Sequence, residues 1–181
     1  MANSVDDLLN AYEKVVNGNW EVTLSGQERI WFLVYEPEMQ RKVDFRLGDF
    51  ENATKKAGKK WATASLKEAF PSWMANHDYR EEYFSEPDML VDQLEFEFKN
   101  WLISHSVESI NQQNADENTV LAITDVASIF GFARLSDILN QVAHQVKGRL
   151  LVFFPGEFEK NQFRLLDARD GWSYLARPIT A

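Results

Sequence analysis

Residues 150–154, Leu-Leu-Val-Phe-Phe, limit what this chain can fold into more than any other stretch. The run is too short for a helix, rich in β-formers, free of polar alternation and followed by Pro155-Gly156, so it predicts a strand buried on both faces. Strands of that kind belong to sheets covered by helices on either side. Residues 30–35, ahead of Glu36-Pro37, and residues 119–124 predict two more buried strands, and residues 61–66 a fourth. Between them the apolar spacing turns helical: Val5, Leu8, Leu9, Tyr12, Val15 and Val16 behind a Ser4/Asp7 capping pair; Met39, Val43, Leu47, Phe50 and Ala53 within 38–57; and Leu135, Ile138, Leu139 and Val142 within 133–146. The expected fold is therefore α/β, a mostly parallel central sheet flanked by helices. Residues 163–166 and 172–176 flank Asp170-Gly171, a pair suited to a tight turn, which predicts a C-terminal antiparallel hairpin with Pro178 on a sheet edge.

The middle of the chain differs. Residues 68–116 carry Phe70, Trp73, Tyr79, Tyr83 and Phe84 on short helical pieces, then Leu90, Leu94, Phe98, Trp101, Leu102 and Val107 on one face of a longer helix starting near Glu86-Pro87. This reads as a helical insertion in one domain spanning 1–181. The early aromatics are open to two readings, lining of the core or a partner-binding face.

Charge and composition narrow the function classes. A formal net charge of −9 disfavours direct nucleic-acid binding and an anionic-membrane surface, both of which need clustered positive potential. Lys55-Lys56 and Lys59-Lys60 form the one dense basic run, which suits a helix end and solubility better than a phosphate. The absence of Cys removes disulfides, thiolate nucleophiles and cysteine-bound zinc, and the N-terminus lacks the basic start and apolar middle of a signal peptide, so a cytoplasmic location is expected.

No catalytic motif stands out. Val120-Leu-Ala-Ile-Thr-Asp125 looks like the acid-ended strand of a P-loop ATPase, but the first strand runs into Glu36-Pro-Glu-Met-Gln-Arg where G-x-x-x-x-G-K-[ST] would have to lie. The core is thus P-loop- or Rossmann-like in outline and degenerate, without a phosphate loop. Asp125 reads as a turn or capping residue or, together with Glu36, Glu157 and Asp167, as part of a Mg²⁺ or acid–base site at the strand ends. His77, His105 and His144 have no metal-ligand spacing, and no nucleophile elbow is present. No catalytic, cofactor-binding or metal residue and no cofactor is assigned. The partner-binding candidates are Phe130, Phe132, Arg134, Glu157 and Phe158, loop residues beyond the carboxyl ends of the strands, where open α/β sheets gather function. Their phenylalanines suit either an interface with an apolar centre and charged rim or a satellite of the core.

Several segments together carry a family resemblance: Leu24-Ser-Gly26 ahead of Arg29-Ile-Trp-Phe-Leu-Val-Tyr35, Ala69-Phe-Pro-Ser-Trp73, His77-Asp-Tyr-Arg-Glu-Glu-Tyr-Phe84, Glu117-Asn-Thr-Val120, Ser128-Ile-Phe-Gly131 and the whole of 148–181. They resemble BrxB, a family of small subunits of bacterial BREX phage-defence systems, with small departures at Glu36 and at Asn161-Gln-Phe163. The resemblance implies a cytoplasmic component beside a large ATPase, an adenine-specific DNA methyltransferase and an alkaline-phosphatase-like PglZ protein, and it brings no catalytic role. The expectation is a non-enzymatic adaptor whose first partner is the PglZ-like protein, with the BREX ATPase and methyltransferase as further candidates. The alternative is a metal- or nucleotide-binding, weakly hydrolytic subunit using the strand-end carboxylates.

Overall fold

The computed structural model describes residues 4–168 and 175–181. Helix α1 (Val5–Val16) opens on the expected capping box: the Asp7 backbone N–H donates to Ser4 Oγ, and the Ser4 N–H donates back to the Asp7 carboxylate. Strand β1 (Ile30–Tyr35) follows, then a 3₁₀ turn and two helices, α2 (Gln40–Phe45) and α3 (Leu47–Lys56). The single helix expected over 38–57 is thus broken at Arg46, whose guanidinium reaches Asp49 and, at 2.8 Å, Asp6 of α1. Strand β2 (Lys60–Ser65) leads into the helical segment: α4 (Ala69–Ala75), α5 (Arg80–Ser85), α6 (Leu90–Gln93), a π turn (Leu94–Phe98) and α7 (Lys99–Gln112). Strand β3 (Thr119–Thr124), helix α8 (Leu135–Val142), β4 (Arg149–Glu159), β5 (Gln162–Leu165) and β6 (Arg177–Ile179) complete the described chain.

The sheet order is β2-β3-β4-β1-β6, parallel throughout, with β5 antiparallel to the distal half of β4. Burial explains the order. All six residues of β1 and of β3 are buried, as are the first eight of β4, whereas β2 shows only one buried position and takes an edge. Within each inner strand alternate residues serve opposite faces. Phe32, Val152, Phe154, Leu121 and Ile123 pack under α4, α7 and α8, while Trp31, Leu33, Phe153, Val120 and Ala122 pack under α1, α2 and α3. On the second face Tyr12 donates to Thr54 Oγ1 at 2.6 Å, because the Thr54 hydroxyl is itself spent on the Phe50 carbonyl; burial raises the Tyr12 phenol well above its usual range. Pro178 sits on β6, opposite Phe32 at the sheet edge, where a missing N–H costs nothing.

An antiparallel hairpin not anticipated from the sequence stands ahead of the expected one. It joins β4 to β5 across Lys160-Asn161, both at positive φ (51° and 61°), and the last strand pairs parallel to β1. The expected Asp170-Gly171 turn lies outside the described residues. Pro155-Gly156 does not end β4: the strand continues through it, the Pro155 carbonyl accepts the Leu166 N–H at 2.9 Å, and Gly156 lies so close to the Arg164 carbonyl of β5 that a Cβ there would collide with it. At the opposite end of the sheet, Asp116 binds Lys60 of β2 and the Thr119 hydroxyl (2.8 Å) and Asn118 N–H (3.0 Å) at the start of β3. These contacts, Lys60 foremost, hold its carboxyl down to about 2.

Candidate functional site

Two regions hold side chains that folding alone does not explain. The first is the carboxyl-terminal end of the sheet. Glu36 follows β1, and Glu157 lies in the part of β4 that runs past it; with Asp167 they line an open cleft of about 730 Å³. The fourth expected carboxylate is elsewhere. Asp125, at φ 59°, accepts hydrogen bonds from Ser65 Oγ (2.6 Å) and Thr124 Oγ1 (2.9 Å), tying the end of β2 to the end of β3. It is a turn residue, and no three His, Asp or Glu side chains among the described residues are grouped to hold a metal ion. His77 is also engaged: its Nδ1 accepts the Tyr79 N–H (3.1 Å), which leaves Nε2–H to donate to Glu97 (2.9 Å). Of the lysine run, Lys55 pairs with Glu51 (2.6 Å), Lys60 with Asp116, and Lys59 lies 4.2 Å above the Trp20 ring.

The five partner-binding candidates share this end of the sheet but differ in exposure. Phe132 stacks on Phe70 of α4 (centroids 4.1 Å, planes 17° apart), and Phe158 packs on Phe163 (4.6 Å); both lie half-buried against the core. Phe130, beside Gly131 at φ 81°, is 38% exposed. Arg134 and Glu157 are exposed, Glu157 facing Arg164 at 3.8 Å. Of the three candidate phenylalanines only Phe130 is exposed, and the more open Phe45, 89% exposed, lines a separate cleft with Glu36.

The second region is the stretch 79–97 of the helical segment. The aromatic series noted in the sequence divides here: Trp73 and Tyr83 are buried and Phe70 half-buried, whereas Tyr79 and Phe84 are 61% and 65% exposed. Met89, Val91 and Phe96 join them at 53%, 63% and 67%. Sequence reasoning missed these three. The available signal was charge, since 79–97 carries Glu81, Glu82, Glu86, Asp88, Asp92, Glu95 and Glu97 against Arg80 alone. Glu95 pairs with Lys99 (2.7 Å), which with the more distant Arg134 lowers its pKa, so the N-terminus of α8 adjoins this surface.

A mostly parallel sheet covered by helices on both faces, with an exposed stretch that is apolar and acidic, defines the class: an α/β protein of mixed topology. The chain belongs to the BrxB family, whose model, described as BREX protein BrxB, matches residues 65–177, more than half of its length. That match takes in the helical segment, β3, β4 and β5. No curated protein and no solved structure matched the chain. No helix among the described residues is long and apolar enough to cross a membrane.

Proposed function

We propose that this BREX component acts as a non-enzymatic adaptor that recruits the alkaline-phosphatase-like PglZ protein, with the BREX ATPase as a second candidate partner. Membership of the BrxB family carries the reading. Two features of the chain support it. Asp125, the acid best placed by sequence for metal chemistry, spends its Oδ2 on two hydroxyls, and the chain after β1 is Glu36-Pro37-Glu38, whose negative charge opposes a phosphate. An assembly component lacking such machinery contributes through its surfaces.

Affinity measurement between the purified chain and its cognate PglZ protein tests the proposal, with saturable binding as the expected result. The competing catalytic reading is tested on the same preparation by calorimetric titration with Mg²⁺ and ATP. Saturable heats abolished by Asp125→Asn would establish it and displace the adaptor reading.

A further inference from the structure

Among the described residues nine large hydrophobic side chains are exposed, and five of them, Tyr79, Phe84, Met89, Val91 and Phe96, fall within eighteen consecutive positions. Single exposed apolar residues are ordinary; a concentration of them rimmed by charge marks an interaction surface. The core does not need these five. The same segment is anchored by buried Tyr83 and Phe98 and by Leu90 and Leu94, which pack against the core cluster. A π turn (Leu94–Phe98) contains both the exposed Phe96 and the buried Phe98, and such turns add a residue to the helical period and recur at functional sites. The same stretch carries seven carboxylates and one arginine, and Arg80 is already engaged with Glu81 (3.3 Å) and the Ala75 carbonyl (2.9 Å).

We propose that the 79–97 surface is the docking site for a protein partner that offers an apolar groove rimmed by lysine and arginine. The inference rests on the adaptor reading and gives it a location and a chemistry. Charge selects the occupant. A second copy of this chain would bring seven more carboxylates against the first seven, and nucleic acids and anionic membranes are excluded by the same sign, whereas a basic rim neutralises the patch and steers the encounter. Exposed aromatics interspersed with charged residues have the composition of a protein interface, with apolar anchors and a polar rim. The proposal moves the main contact away from the ends of the strands, where Phe132 and Phe158 are held by the core.

The test uses the full chain against each purified cognate BREX subunit in turn, immobilised, with rates measured at low and physiological salt. Phe84→Ser with Phe96→Ser should weaken binding roughly tenfold or more through a faster off-rate, with the melting midpoint unchanged. Glu86→Lys with Asp92→Lys should slow association and flatten its salt dependence. Phe130→Ser should bind as the unmodified chain does. Unaltered binding in both surface variants, or loss in Phe130→Ser alone, overturns the proposal and leaves the adaptor reading standing. Self-association relieved by the serine variant would assign the surface to a second copy and also overturn it. If the unmodified chain binds no cognate subunit, both readings fall.

Discussion

Strands β1 and β3 and the helical stretch 79–97 both carry large apolar residues and use them in opposite ways. Every side chain of β1 and β3 is buried, shared alternately between the two faces of the sheet, so their composition is accounted for by folding. In 79–97 Tyr83 is buried, as is Phe98 just beyond it, while Phe84 and Phe96, no less apolar, stand in water. Apolar content alone does not separate core from interface. What separates them is whether a neighbouring layer exists to cover the residue, and in 79–97 none of the described elements covers Phe84 or Phe96.

The sharpest way to probe this contrast is to empty a position on each side of it. Phe32 of β1 stacks on Phe154 (5.0 Å) and meets Phe163 edge-on (4.4 Å), so Phe32→Ala should cost about 3–5 kcal/mol in a denaturant titration. A smaller cost would mean that the sheet face can collapse around a void. Next in size is Gly156→Ala, where the added Cβ meets the Arg164 carbonyl. Backbone cannot yield as a side-chain tip can, so about 1–3 kcal/mol should be lost, with amide exchange quickening across β4 and β5. Unchanged exchange in that hairpin would refute the close approach of the two strands.

A smaller effect depends on pH. The Asp116 carboxyl is held to about 2 in the folded chain against 3.8 for the free group. A depressed carboxylate contributes stability that is complete above its unfolded value and is lost as pH falls toward its folded one. The melting midpoint of the unmodified chain should therefore drop more steeply between about pH 4 and pH 2 than that of Asp116→Asn. Parallel slopes would show that the Lys60 contact is unimportant. The smallest effect belongs to the exposed side: Phe84→Ser should leave stability within about 0.5 kcal/mol of the parent, and a larger loss would place Phe84 with the core.

Much of the scaffold was legible in the sequence because its determinants are local. The bounds of β1 and β3 follow from unbroken apolar runs, and the start of α1 from Ser4 and Asp7 three residues apart. The departures arise where distant parts of the chain decide. Arg46 interrupts a helical period that runs smoothly from Val43 to Ala53, drawn by Asp6 from another helix. Pro155-Gly156 carries the signature of a terminator, yet Gly156 is needed for the approach of β5, and β4 turns into β5 only at Lys160-Asn161, a pair without the usual Asn-Gly or Asp-Gly signal. At the candidate site the sequence identified aromatic residues in both regions. It could not tell Phe130 from Phe132, or Tyr79 from Tyr83, because burial depends on what each ring packs against: Phe132 meets Phe70 of α4, and Tyr83 joins the core cluster.

Hydrogen exchange of the chain, alone and bound to its cognate PglZ protein, bears most directly on the claim that function lies on the uncovered side of this contrast. The account predicts new protection concentrated in 79–97, with the strand-end loops around Phe130 and Phe158 unchanged. Protection confined to those loops, or none anywhere on the chain, would contradict it.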